Sequence, residues 1–197
     1  MQQLVFATNN QHKLEEAAAK IQGRIRLLSL DDIGCHDDIA ETGVTFRENA
    51  SIKSNYIYNK YHLNCFGDDS GLEIEALDGA PGIYSARYAG KYGDHEANIE
   101  KVLANMRLTS NRRARFRTVI SLLWDGREYF FEGTVGGTIR HERAGIKGFG
   151  YDPIFEPDGF SITFAEMSLA EKNHISHRAI AIDKMTAFIS ESAGQPR

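Results

Sequence analysis

The sequence predicts an α/β fold: a long mixed β-sheet with flanking helices. Three observations carry that expectation. An apolar run near the N-terminus gives way at once to helical spacing. Two strand-like segments in the middle of the chain are joined by Asp125-Gly126, a strong hairpin signal. Helical patterns then stand between and after the strands, the interleaving expected where helices cover a sheet.

The elements follow in order. Leu4 to Ala7 is the apolar run and reads as a buried strand; Leu14, Ala17, Ala18 and Ile21 recur behind it at helical spacing. Thr45 followed by Glu48 fits a capping box and opens a helix from about Phe46 to Tyr61. Leu63 to Phe66 reads as a strand broken by GDDSG (67–71), and LEIEAL (72–77) alternates like a second strand. GAPGIYSARYAGKYGDH (79–95) reads as a glycine-rich loop, after which Asp94 caps a helix carrying Ile99, Val102, Leu103 and Met106. RFRTVISLLW (115–124) and REYFFEGTV (127–135) are the hairpin strands. Beyond Gly136-Gly137 the chain turns loop-rich through GIKGFGYDPIFEP (145–157), and Ser176 caps a final helix bearing Ile182, Met185, Phe188 and Ile189.

Composition narrows the function classes. The 197 residues suit one large domain, or one domain of two lobes, over residues 1–197, with no repeat or interdomain linker. A chain of this size buries about 70% of its unfolded surface. The net charge of −4 speaks against a general nucleic-acid binder, whose domain would be basic. No stretch approaches the roughly 18 apolar residues of a membrane span. MQQLVFATNN has no basic segment followed by an apolar one, so no signal peptide is expected. Cys35 and Cys65 form no CxxC pair and read as reduced thiols of a cytoplasmic protein.

Five segments could carry chemistry. TNNQHK (8–13) lies where a strand passes into a helix, and the first N–H groups of a helix bind anions well. Lys13 meets the positive end of the helix dipole there, a conflict that an anionic ligand would remove. The same residues would also suit an ordinary Asn cap and an exposed lysine paired with Glu16. Lys53 interrupts the apolar stripe of Phe46, Ala50 and Ile57, so it either snorkels to water or points into a cleft at a phosphate. Glu41 stands in the polar turn before that helix, and Asp68 and Asp69 at a strand end. Carboxylates from separate segments, completed by phosphate oxygens, are how magnesium is usually held; a plain Asp-Ser-Gly turn is the alternative. GFGYDP (148–153) combines glycines for close backbone approach with aromatics that could stack on a base or fill a core. In SLAEKNHISHRAIA (168–181), Lys172, His174, His177 and Arg178 fall within seven residues of each other. With no cysteine nearby and no HExxH pattern a zinc site is not expected; a solvated basic helix end or a ligand-reading patch remain.

The order of these segments resembles the inosine triphosphate pyrophosphatase family, the non-canonical purine nucleoside triphosphatases. FATNNQHK, ETGVTFRENASIK, DDSGLEIEALDGAPGIYSARYAG, GFGYDPIF and TFAEMSLAEKNHISHRAIA match, spanning Phe6 to Ala181, while Lys91 to Thr134 matches only in pattern. The resemblance implies a long mixed sheet, two lobes and a substrate cleft between them. It implies hydrolysis of ITP, dITP or XTP to the monophosphate and pyrophosphate with Mg2+, which clears such nucleotides before they enter DNA or RNA, and it implies a homodimer; the charge, the hydropathy and the cysteines add the expectation of a cytoplasmic protein that binds neither nucleic acid nor membrane. By resemblance, Thr8, Asn9, Asn10, Gln11, His12 and Lys13 cradle the triphosphate, and Lys53 also reaches it. Glu41 and Asp69 bind magnesium, Asp69 is the base that activates water, and Ser70 contacts the substrate. Phe149, Gly150, Tyr151, Asp152, Lys172, His177 and Arg178 form the nucleoside side. One departure is Gly67, where many relatives carry alanine.

That assignment leaves SLAEKNHISHR to read the base. Hypoxanthine and xanthine carry an acceptor oxygen at purine position six, where adenine carries a donor amino group. Lys172 and Arg178 offer donors only, so they match a keto base and mismatch adenine. Two other classes stay open on the sequence: a related pyrophosphatase preferring modified pyrimidines, and a non-enzymatic purine nucleotide sensor, which would not need both Glu41 and Asp69.

Overall fold

A computed structural model describes residues 2–21, 23 and 25–193. Its six strands form one mixed sheet in the order β2-β1-β3-β4-β5-β6. These are β1 (Gln2–Phe6), β2 (Ile25–Leu28), β3 (Cys65–Ile74), β4 (Arg113–Trp124), β5 (Arg127–Ile139) and β6 (Phe155–Pro157). The helices are α1 (Gln11–Lys20), α2 (Phe46–Tyr61), α3 (His95–Asn105), α4 (Leu169–Ile175) and α5 (His177–Ala193). β1 runs parallel to both β2 and β3, and β5 antiparallel to β6, so the expected mixed α/β sheet is present. Among the described residues no helix is long and apolar enough to cross a membrane.

The chain divides into two compact units. The first comprises Met1–Asp69, Thr118–Gly133 and Arg178–Arg197. Here β1 is covered on both faces, which is why it reads as an unbroken apolar run rather than an alternation. Leu4 and Phe6 pack with Phe66, Ile120, Leu122 and the Ile182, Met185 and Ile189 side of α5. Val5 and Ala7 face Leu28, Leu30, Ile57 and Cys65 on the other side. The Phe6 and Phe66 rings stack 4.2 Å apart. The second unit comprises Ser70–Arg117 and Thr134–His177, and packs Leu72, Ile74, Phe116, Phe155 and Phe164 against Ile99 and Val102 of α3 and Met106 just beyond it.

Local signals place most boundaries. The Thr45 hydroxyl accepts from the Glu48 N–H at 3.1 Å and starts α2 where expected. The Glu48 carboxylate, however, takes the Val44 N–H, one residue before the box position. Asp94 caps α3 through the Ala97 N–H. Asp125 and Gly126 have φ of 48° and 79°, the paired left-handed conformation of a tight hairpin turn.

Three boundaries differ from expectation. GDDSG does not break the strand, which continues from Cys65 to Ile74. The two carboxylates are buried and satisfied by distant side chains, so they need no solvent-facing turn. The alternation of LEIEAL ends at Ile74; Glu75–Leu77 form a 3₁₀ turn closed by left-handed Asp78 and Gly79. β5 runs on through Gly136-Gly137 to Ile139, because Phe155 crosses over Gly137: a Cβ there would lie 2.6 Å from the Phe155 ring.

Gly67 marks the closest approach of α2 to β3. A Cβ at this position would lie 2.6 Å from the Ala50 carbonyl oxygen and 2.9 Å from the Lys53 Cβ. Gly67→Ala is therefore expected to push α2 off the sheet at a cost of about 1–3 kcal/mol, read as a lowered urea midpoint with an unchanged slope. An unchanged midpoint would mean that the helix shifts without cost.

Candidate active site

β1 delivers the chain to the start of α1, and TNNQHK makes the turn. The Thr8 hydroxyl accepts from the Asn10 N–H, and Asn10 caps α1 by accepting from the Lys13 N–H at 3.1 Å. The turn is thus a true helix N-terminus with the anion preference such ends carry. Gln11 and His12 occupy its exposed first turn, and the Asn9 amide donates to the Asp37 carbonyl.

Lys13 does not pair with Glu16. Its ammonium lies 2.8 Å from Asp68 Oδ1, while Asp68 Oδ2 accepts from Arg178 Nε at 3.1 Å and Arg178 Nη1 meets Glu16. Lysine, aspartate, arginine and glutamate thus alternate in one row, buried at Asp68, Arg178 and Glu16 and half-buried at Lys13. Burial alone would raise the Asp68 carboxyl; the Lys13 ammonium and the Arg178 guanidinium outweigh it and hold it far below the usual carboxylate range. Burial pulls the other way on Arg178, but Glu16 and Asp68 keep it above its ordinary value.

Neighbouring strand residues point to opposite faces, and Asp69 accordingly turns from Asp68 toward α2. Its Oδ2 accepts from Asn49 Nδ2 at 2.9 Å. Lys53, one turn further along α2, reaches Glu41 Oε1 at 2.5 Å. Burial pushes the Asp69 carboxyl up; Lys53 and Lys13 oppose it, and the nearby Glu41 charge adds to the rise. Burial lowers Lys53, but Asp69 and Glu41 hold it above its ordinary value. Glu41 and Asp69 therefore feel one another across a shared lysine. Among the described residues no group of three or more His, Cys, Asp or Glu stands ready to hold a metal alone. Two carboxylates are nonetheless the donor set that fits Mg2+, which takes one or two of them and fills its shell with water and phosphate oxygens.

The second unit holds the other predicted residues. Gly148 and Gly150 adopt φ of 73° and 62°, and a Cβ on Gly148 would lie 2.0 Å from Asp152 Oδ2. That closeness lets the Asp152 carboxylate accept from the Phe149 N–H at 2.9 Å and from Lys172 Nζ at 2.6 Å. Ser168 and Glu171 form a reciprocal capping box that starts α4 and sets Lys172 in its first turns. The Lys172 ammonium lies 5.1 Å from the Phe149 ring centre and 5.4 Å from that of Phe164. The aromatics of GFGYDP divide: Tyr151 is core, its hydroxyl donating to the Ser85 carbonyl at 2.8 Å, whereas half-buried Phe149 keeps its ring near His95. Ser70 is half-buried in β3.

The basic cluster of the sequence is split. α4 ends at Ile175, and α5 starts two residues later. Lys172 joins Asp152 in the second unit, His177 stacks on Phe116 at 4.7 Å there, and Arg178 joins Asp68 and Glu16 in the first. His174 is exposed, so no histidine pair forms. Three participants were not legible as such: Asn49, Glu16 and the Asp68 pairing. Asn49 leaves one signal, a polar residue on the buried face of α2 one turn before Lys53.

The Ham1 family model matches residues 4–188. A dITP/XTP pyrophosphatase of Christiangramia forsetii is 52% identical over 188 residues, covering 95% of this chain and 99% of that protein. One from Porphyromonas gingivalis is 48% identical, covering 96% and 98%. Among solved structures, the Staphylococcus aureus Ham1 protein aligns with a TM-score of 0.87 at 41% identity, covering 97% of this chain and all of that one. A HAM1 protein from Coxiella burnetii aligns at 0.88 with 38% identity, over 97% of this chain. With the family model matching almost the whole length and relatives about half identical over nearly all of it, the chain belongs to the Ham1 family.

Proposed function

We propose that the protein hydrolyses non-canonical purine nucleoside triphosphates, ITP, dITP and XTP, to the monophosphate and pyrophosphate in a Mg2+-dependent reaction that keeps them out of DNA and RNA. One observation carries the reading: half-buried Lys13, buried Lys53 and two carboxylates from separate segments gather in the first unit beside a helix N-terminus. Lys13, Lys53 and the first turn of α1 receive the triphosphate, and Glu41 and Asp69 hold the cation. Bound Mg2+ supplies charge neutralisation at the phosphate oxygens. Asp69 orients the attacking water and takes up its proton. The water oxygen bonds to the α-phosphorus as the bond to the bridging oxygen breaks, and the lysines stabilise the departing pyrophosphate.

For the nucleoside, the resemblance points to Phe149 and Lys172. Phe149 offers a ring face, and Lys172, steadied by Asp152, offers donors to a six-keto group. Two of the Arg178 donors face carboxylates, so base reading rests on Lys172 first. A homodimer is the assembly that the resemblance supports, and the free, buried Cys35 and Cys65 suit a cytoplasmic setting.

A release assay over common and deaminated triphosphates with Mg2+, run in 18O water, tests the reading. ITP, dITP and XTP are expected to give monophosphate carrying the label. Label in pyrophosphate would mean attack at the β-phosphorus and would overturn the mechanism. A preference for modified pyrimidines would overturn the substrate assignment.

A further inference from the structure

Asn49 is fully buried and has both ends of its amide engaged. Oδ1 accepts from the Gly43 N–H at 2.8 Å, and Nδ2 donates to Asp69 Oδ2 at 2.9 Å. The backbone fixes this orientation: Gly43 presents a donor, so only the amide oxygen satisfies it, and the amide nitrogen must face the carboxylate. The turn sits directly on the amide, since a Cβ on Gly43 would lie 2.8 Å from Asn49 Oδ1 and 2.6 Å from the Glu48 Cβ. Two residues before Gly43 comes Glu41, whose carboxylate holds Lys53 from the same helix.

We propose that Asn49 is a positioning residue for the cation site, its amide tying the Asp69 carboxylate and the Glu41–Gly43 turn into one rigid pair. The inference rests on reading Glu41 and Asp69 as the Mg2+ ligands. The two acids come from segments far apart in the chain. β3 carries Asp69 on a sheet strand, but Glu41 stands on an irregular turn that needs an anchor. The Glu48 carboxylate and the Thr45 hydroxyl secure the helix end of that turn. Asn49 and Lys53 secure the end bearing Glu41. Asparagine suits this place on chemical grounds: an aspartate would set a second carboxylate against Asp69, and an apolar residue would leave the Gly43 N–H and the carboxylate oxygen without the amide.

The test measures Mn2+ binding by electron paramagnetic resonance, with the non-hydrolysable α,β-methylene analogue of ITP present, alongside steady-state kinetics at saturating Mg2+. Wild type should bind Mn2+, and Asn49→Ala should bind it about 10- to 100-fold more weakly, with kcat reduced by a similar factor and KM for ITP changed by less than about threefold. Asn49→Asp keeps the size and the acceptor for Gly43. It should fold, yet lose kcat as the alanine variant does, because the amide donor that orients Asp69 Oδ2 is gone. If wild type binds no Mn2+, the cation-site reading itself fails, and this inference with it. If wild type binds while Asn49→Ala matches its affinity and kcat and differs only in melting temperature, Asn49 merely supports the fold and the proposal is overturned. Wild-type kcat in Asn49→Asp would likewise overturn it.

Discussion

Asp69→Asn is expected to lower kcat on ITP by roughly 10²–10⁴-fold, the contribution of a positioned acid–base group, without lowering the stability of the metal-free protein. Both halves follow from its surroundings. The amide keeps the size of the acid and still offers an oxygen to Asn49 Nδ2, so the contact with α2 survives. The negative charge is lost, and with it a cation ligand and a proton acceptor. Stability moves in the less familiar direction. Burial, with the Glu41 charge adding to it, raises the folded Asp69 carboxyl above its ordinary value. An acid raised in the folded state favours folding while it is protonated, and that advantage is lost as pH rises from the unfolded value, about 3.9, through the folded one. At neutral pH without metal, the charged Asp69 is thus a cost that asparagine removes. The variant should melt at or above wild type in chelator, and adding Mg2+ to the ITP analogue should raise the melting temperature further in wild type but not in the variant. Turnover within tenfold of wild type would remove Asp69 from the catalytic role; a steep fall in melting temperature in chelator would make it a structural acid.

The parts of this site that were legible in the sequence are those fixed locally. The Thr45 cap, the Asp94 cap and the Asp125-Gly126 turn act through atoms three or four residues away, and each sets its boundary as read. The Asn10 cap gave TNNQHK its helix N-terminus in the same way. GDDSG misled because its own chemistry favours a turn, while the forces that keep it a strand come from Lys13, 55 residues away, and Arg178, 110 residues away. The basic cluster misled for the opposite reason. Lys172 and Arg178 are close in sequence, but the helix break at Ser176 lets them serve different units. Pairings of charges at long range leave no periodicity to read, and α2 shows the limit: Lys53 was visible as an anomaly in an apolar stripe and Glu41 as a turn carboxylate, but their pairing was not.

The split of that cluster changes what Arg178 is expected to do, and Arg178→Met tests it. Methionine keeps most of the side-chain volume and removes the charge that joins Glu16 to Asp68. Both carboxylates are almost wholly buried, at 5% and 1% exposure, so solvent does little to screen the loss. Breaking a buried pair by removing one partner costs about 3–5 kcal/mol, which for a chain of this size lowers the melting temperature by roughly 6–20 °C. The row of alternating charges also turns from balanced to negative. Asp68 keeps Lys13 but loses the guanidinium, and the excess negative charge opposes a triphosphate at the α1 terminus, so KM should rise for every triphosphate. Glu16→Leu added to Arg178→Met separates the two effects. It removes the acid that faced the guanidinium while the Lys13–Asp68 contact of 2.8 Å remains. Because a buried ion pair replaced by apolar residues is often close to neutral, the double variant should recover most of the stability, leaving a coupling between the two sites of about 2 kcal/mol or more. Additive losses would show that Arg178 does not depend on Glu16. A loss below about 1 kcal/mol in Arg178→Met would mean that the row is screened as surface ion pairs are; the guanidinium would then be placed by what it binds rather than by the acids around it.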